Sequence, residues 1–266
     1  DVLAKIALAG FGVVSLRGLS RVIADQEGEA GLTARDGAAQ IARAFLPLFN
    51  LPESMALIRG LDRREPYWER ALEYCVDGGL QAVMDEYIHV LSESLGLTDK
   101  TDEIVRQELV KTIRDALTLR TSSLEVDQIV VHPRSGTISV RDREMRGRFA
   151  ARFDQEGTEG GWGVSRPQQV RNAFNSPFWP FVLATTSIGQ EGLDFHQYCH
   201  TVVHWNLPAN PVDLEQREGR VHRYKGHAVR KNVALSQCRR KWGRKRRDPW
   251  QFLFSASRAA RRGKAG

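Results

Sequence analysis

Cysteine is scarce: Cys75, Cys199 and Cys238 are the only three in 266 residues, and no C-x-x-C pair occurs. An odd, widely spaced set excludes a disulfide framework and a cysteine-rich zinc site, and a reducing cytoplasm is the expected location. Long hydrophobic runs are also missing. The longest near-apolar stretch, residues 6–16, is too short to span a bilayer, so no membrane partner is expected. The chain starts with Asp1 and shows no basic-then-apolar leader, which gives the expectation of a cut end within a longer protein. Finally, there is no G-x-x-x-x-G-K-[ST] loop and no D-E-x-H or D-E-A-D acid pair. A self-contained nucleoside triphosphatase of the phosphate-loop type needs both.

What is present suits a folded chain. Hydrophobic residues make up 41% and charged residues 27%, enough for a buried core in one or two domains. The net charge of +7 is unevenly placed. Residues 239–266 hold eleven of the 39 Lys and Arg and one of the 32 acids, so the rest of the chain is slightly acidic. Such a tail, with Arg239, Arg240, Lys241, Arg244 and Lys245 at its start, favours a polyanion through counterion release. The plainer alternative is a solvated tail with no partner.

Residues 1–124 read as a helical module of about five to seven helices. Residues 2–24 form one helix with weak spots at Gly10 and Gly12, or a helix pair. Helices follow over 38–49, from 52 or 53, over 67–74 and over 80–95. In the last of these, Leu80, Val83, Met84, Tyr87, Ile88, Leu91 and Leu95 repeat at helical spacing. From Thr101 the next helix carries Glu103 and Glu108 early and Lys111, Arg114 and Arg120 late, the order its dipole favours, with Val105, Leu109, Ile113 and Leu117 as its buried face. No chemical motif stands in this module.

Residues 125–238 have a different texture. Two strands, 127–132 and 137–141, flank a Pro-Arg-Ser-Gly turn, and 147–153 is a third strand candidate. A helix through 174 opens near Pro167, and Asn175-Ser176-Pro177 ends it. Residues 181–186 and 201–205 are continuous apolar runs, expected as parallel strands covered on both faces. Asn210-Pro211 starts a helix running to about Val221, with Asn as cap, Pro at the first position and Asp213 at the positive end. Residues 230–235 read as a last strand. The fold class is therefore α/β, a parallel sheet with flanking helices, preceded by the helical module.

Two strings carry chemistry. The first, TTSIGQEGLDFH, places hydroxyls and two glycines where a strand of such a fold ends, the usual place for a ligand. The second, QREGRVHR, spaces Arg217, Arg220 and Arg223 three apart around Gly219. Arginine stays ionised and offers a planar donor fork, so a positioned guanidinium can stabilise charge spread over a transferring phosphoryl group. Local alternatives exist: a surface helix whose arginines pair with Glu215 and Glu218, and an ordinary loop with Asp194 satisfied locally. His196, Cys199, His200 and His204 also crowd together. On a strand, His200 and His204 would stand about 13 Å apart, and no H-E-x-x-H frame exists, so no metal site is expected.

Together, AFNSPFWPFVLATTSIGQEGLDFH and HWNLPANPVDLEQREGRVHRYKGH resemble motifs V and VI of superfamily 2 helicases and translocases, in particular a bacterial DEAD/DEAH-type, SNF2-related group. The likeness is strong over residues 170–234. It implies the second RecA-like domain of an ATP-dependent helicase, spanning 125–238 and followed by the basic tail. By this resemblance Arg220 and Arg223 are the arginine fingers, Arg217 organises interdomain acids and Gln216 senses the nucleotide. Gly192 and Asp194 face nucleotide and arginine helix, while Thr185, Thr186 and Gly189 touch a nucleic-acid backbone. Gln190 or Glu191 stands where many relatives carry Arg, which removes the charge for a phosphate contact there. ATP and Mg2+ would be held mainly by a first RecA-like domain outside this chain, and the nucleic acid is expected to be DNA rather than RNA. Two other readings stand beside it: a non-catalytic nucleic-acid-binding module using the basic tail, and a metal hydrolase built on His200 and His204.

Overall fold

The computed structural model describes residues 2–23, 34–60, 66–97, 101–119, 124–131, 136–145, 150–153, 167–185, 194–237 and 249–262. These fall into two compact units, Asp1–Thr186 and Ser187–Gly266.

The first unit opens with seven helices among the described residues: α1 (Val2–Ala9), α2 (Phe11–Leu19), α3 (Ala34–Phe49), α4 (Pro52–Arg59), α5 (Tyr67–Val76), α6 (Gly79–Ser94) and α7 (Asp102–Leu117). The start of the chain is a helix pair, because Gly10 is extended at φ −60° and ψ 153°. By length and composition alone, Val2–Leu19 is apolar enough to cross a membrane, a longer stretch than residues 6–16 suggest. Its second half is instead packed inside this unit: Val14, Ser15, Gly18 and Leu19 are buried, and α2 lies on α3 and α6.

Helical spacing locates the core of this unit. On α6, Leu80, Met84, Tyr87, Ile88 and Leu91 are buried as expected, together with Val90. Val83 is only half-buried, and Leu95 is not buried; it follows the last helical residue and is exposed, and Gly96 then turns the chain with φ +61°. On α7 the expected Val105, Leu109, Ile113 and Leu117 are buried, joined by Val110 and Ala116. Burial, and secondarily Asp115, pushes the Tyr87 phenol far above its ordinary pKa. Gly37 of α3 is a close-approach glycine: a Cβ there would stand 2.8 Å from Cγ2 of Val110 on α7 and 3.4 Å from Cδ1 of Leu19 on α2.

Two small sheets follow. Strands β1 (Leu124–Val131) and β2 (Ile138–Met145) form the expected antiparallel hairpin, longer than the sequence suggests. Its register sets Ile129 opposite Val140 and Val131 opposite Ile138, all four exposed, and Asp127 opposite Asp142 and Glu125 opposite Glu144. Strands β3 (Ala150–Phe153) and β4 (Val182–Thr185) pair in parallel, Ala150 with Val182 and Phe153 with Thr185. Among the described residues this two-stranded pair is the whole of the parallel sheet, so the parallel sheet with flanking helices that was expected is not seen in them. The expected strand over 181–186 is not covered on both faces within its described residues, 181–185: β4 has one described neighbour, β3, and Phe181 and Val182 are more than half exposed.

Helix α8 (Pro167–Phe174) begins at its proline and packs on α7. The expected Asn175-Ser176-Pro177 stop is made by Ser176, whose hydroxyl donates to the Ala173 carbonyl and accepts from the Phe178 N–H. That turn drives Phe178 into the helical core, 5.5 Å from the ring of Phe45 and 5.6 Å from that of Tyr87, both near edge-on.

The second unit holds α9 (Pro211–Gly219), α10 (His227–Gln237) and α11 (Pro249–Arg262). Here two expectations fail. Residues 201–205 join no sheet among the described residues, and Val203 and Trp205 are 83% and 94% exposed. Residues 230–235, expected as a last strand, lie inside α10. The reason is visible in the burial: Arg230 and Gln237, seven apart, are the buried positions, a helical repeat and not an alternating one. The segment read as a tail contains α11, packed on α10 with Trp250 and Ala256 buried.

Truncating Phe178→Ala is expected to lower the unfolding free energy of the helical unit by roughly 3–5 kcal/mol, the usual cost of emptying a buried aromatic site. Gly37→Ala should cost about 1–3 kcal/mol through overpacking against Val110. Denaturant melts followed by circular dichroism measure both.

Candidate functional site

The arginine-bearing helix begins where the sequence places it. Asn210 is extended at φ −96° and ψ 122°, its side chain accepts from the Val212 N–H at 3.0 Å, Pro211 takes the first position, and Asp213 lies in the first turn. The helix stops at Gly219, two residues earlier than expected, so Arg220 sits at its C-cap and Arg223 lies beyond it. The Val221 and His222 N–H groups still donate to the Glu218 carbonyl, at 3.0 and 2.8 Å, which keeps one more turn wound.

Arg223 folds back on this end. Its Nε donates to the Gly219 carbonyl at 3.0 Å, satisfying one of the free carbonyls at the helix C-terminus. Its two terminal nitrogens reach both oxygens of Asp194, Nη1 to Oδ2 at 3.0 Å and Nη2 to Oδ1 at 2.8 Å. This is the fork-to-fork geometry that only arginine offers a carboxylate. Both side chains keep substantial exposure, 49% and 34%, so the pair is worth about 1 kcal/mol or less in stability and acts by fixing direction. Asp194 is therefore satisfied within its own unit, by one of the two residues assigned as fingers.

The backbone sews the same region together. Phe195 N–H donates to the Arg220 carbonyl at 3.0 Å and His227 N–H to the His196 carbonyl at 2.8 Å. Phe195 and Val221 are buried here. Arg220 itself is half-buried. Arg217 Nη1 donates to the Asn206 carbonyl at 3.2 Å, and Gln216 is exposed. Glu218 turns toward His204, at 3.6 Å from its Nε2. A Cβ added at Gly219 would meet no described atom within 4 Å, so nothing described in this chain requires glycine there.

Of the other sequence candidates, Thr185 is an exposed residue at the end of β4 in the first unit. Thr186, Gly189, Gly192, Arg239, Arg240, Lys241, Arg244 and Lys245 lie outside the described residues. Among the described residues no group of three or more His, Cys, Asp or Glu is arranged to hold a metal, and His200 stacks instead on His227, ring centroids 5.2 Å apart.

Sequence reasoning missed Arg230, Tyr198 and Trp250. Arg230 is buried, donates from Nη2 to the Gln197 carbonyl at 2.6 Å and from Nη1 to the Lys225 carbonyl at 2.9 Å, and lies over the rings of Tyr198 and Trp250. Its partners are backbone carbonyls, which leave no mark in the sequence.

His227 sits beside it with its pKa depressed to about 4, chiefly by burial and then by the charges of Arg230, His200 and Lys231. It is neutral in the folded chain at pH 7, whereas the unfolded chain protonates it near the ordinary value of about 6.5. Below that value the unfolded state binds more protons, so this unit is expected to lose stability as pH falls from 6.5 toward 4. His227→Gln should flatten that part of the profile relative to the parent chain, measured by thermal melts across the range. Asn210→Ala should cost about 1 kcal/mol through the lost cap.

Residues 158–225 match the family model described as the helicase conserved C-terminal domain. A curated protein named "Uncharacterized ATP-dependent helicase YqhH", of Bacillus subtilis (strain 168), is 48% identical over 42 residues. That alignment covers 16% of this chain and 7% of the relative, so the chain spans a small part of that protein's length. No solved structure matches the chain. The matched segment contains the Asp194 turn, α9 and Arg223, and these matches together support a helicase-superfamily relationship, with the RecA-like fold which that domain implies.

Proposed function

We propose that this chain supplies the C-terminal, RecA-like half of an ATP-dependent, SNF2-related nucleic-acid helicase or translocase. The observation that carries the reading is the end of α9: Arg220 at the cap, Arg223 oriented by both oxygens of Asp194, and Gly219 with open space in front of it. A glycine with room for a side chain is explained by a surface that approaches from outside, and the first RecA-like domain is that surface.

The residues present fit a triphosphate better than they fit a metal. Arg217, Arg220 and Arg223 are three cations on one short segment, while no described carboxylate group is arranged for Mg2+. ATP supplies the phosphoryl group and Mg2+ its charge neutralisation, both held mainly by the partner domain. Within this chain, Arg220 and Arg223 direct guanidinium charge at the transferring phosphoryl group. Asp194 fixes the plane of Arg223, Arg217 braces the helix start region through Asn206, and Gln216 and Gly192 face the nucleotide. Thr185, Thr186, Gly189 and the basic residues 239–245 contact a nucleic-acid backbone, DNA in preference to RNA. Such contacts position a strand without reading its sequence. Alone, the chain has neither a phosphate loop nor a magnesium acid pair and is inactive. The cytoplasm remains the expected setting.

The test is complementation. Combined with a first RecA-like domain, in one polypeptide or in trans, the chain should show nucleic-acid-stimulated ATP hydrolysis. Arg220→Ala should lower that rate by roughly 10³-fold, the lower end of what arginine fingers contribute. If no hydrolysis arises and binding depends only on the cationic residues 239–247, the chain is a non-catalytic binding module, a reading favoured by its charge asymmetry.

A further inference from the structure

We propose that Arg230 is a positioning residue: from inside α10 it holds the 194–198 turn against the end of α9 and so sets where Asp194, Arg220 and Arg223 stand. Arg230 is only 4% exposed, and a guanidinium is costly to bury unless its donors are engaged. Here they are engaged at two places that matter. Nη2 donates to the Gln197 carbonyl, three residues after Asp194, and Nη1 to the Lys225 carbonyl, two residues after Arg223. The two ends of the Arg230 fork thus hold the two chain segments whose side chains form the Asp194–Arg223 pair.

The surroundings leave the fork little freedom. The rings of Tyr198 and Trp250 lie 5.5 and 5.8 Å from its central carbon. On the Lys225 side the backbone is unusual: Lys225 has φ +58°, and Gly226 has no room for a side chain, since a Cβ would lie 2.9 Å from the Arg223 carbonyl oxygen. Two backbone bonds then close the same seam, His227 N–H to the His196 carbonyl and Phe195 N–H to the Arg220 carbonyl. Arginine is the residue for this place because two carbonyls on separate strands of chain need a rigid, two-ended donor. Lysine, a single ammonium, keeps the charge but reaches one of them.

The bearing of this on turnover rests on the function proposed above, but the clamp itself is tested without it. Amide hydrogen exchange is measured on the 266-residue chain for the parent, Arg230→Gln and Arg230→Lys. In Arg230→Gln the Phe195 and His227 amides should exchange on the order of ten- to hundredfold faster, while amides late in α10 keep their protection. Arg230→Lys should give an intermediate loosening, and it decides alone if the glutamine variant does not fold. Unchanged Phe195 and His227 protection in Arg230→Lys, or a loss spread evenly through α10, overturns the proposal. With a first RecA-like domain supplied, Arg230→Lys should lower kcat for ATP by about tenfold with KM within about twofold, because geometry and not nucleotide affinity is disturbed. Loosened amides with unchanged kcat would refute the positioning role. Absence of hydrolysis in the parent mixture would sink the helicase reading while the exchange result still decides the clamp.

Discussion

Both oxygens of Asp194 meet both terminal nitrogens of Arg223, and the third nitrogen of that guanidinium closes on the end of α9. Because the pair is half in water, its Coulomb energy is largely screened, and its value lies in direction. A guanidinium with three donors engaged has one plane available to it. That plane also fixes the last carbonyl of the helix, so the arginine at the cap inherits its place from the arginine beyond it.

The two units are stabilised by different physics. The helical unit rests on a continuous apolar interior in which Phe45, Tyr87, Met84, Leu109 and Ile113 are nearly sealed from water. In the second unit the buried apolar residues among those described are few: Phe195, Val221, Trp250 and Ala256. Its order comes instead from backbone seams and a buried guanidinium between aromatic rings. Such polar networks are directional and specify one arrangement, at the cost of failing together when a member is lost.

Legibility in the sequence followed the same division. Helical repeats with large side chains, as on α6 and α7, and the Asn210-Pro211 start were readable because one local rule decides each. The string around Asp194 and the arginines stood out in the sequence as a unit; Asp194 was expected to face the nucleotide and the arginine helix, and what the sequence did not give is its pairing with Arg223 through both oxygens. Residues 201–205 and 230–235 were misread because short runs containing valine satisfy strand and non-strand patterns alike. Arg230 was invisible for a simpler reason: a buried cation is recognised by its acceptors, and carbonyl acceptors have no sequence signature.

The β1–β2 hairpin leaves four branched aliphatic side chains in water on a strand pair with both edges open among the described residues. Such a ribbon invites stacking with its own copies. The register answers this within a few residues, since Asp127 faces Asp142 and Glu125 faces Glu144 further along the same strands. A second ribbon laid alongside would bring its own Asp127 and Asp142 to the same strand pair. Like charges placed at paired positions are the kind of feature by which exposed strands discourage pairing with their own copies, a gatekeeping charge carried by the strand itself.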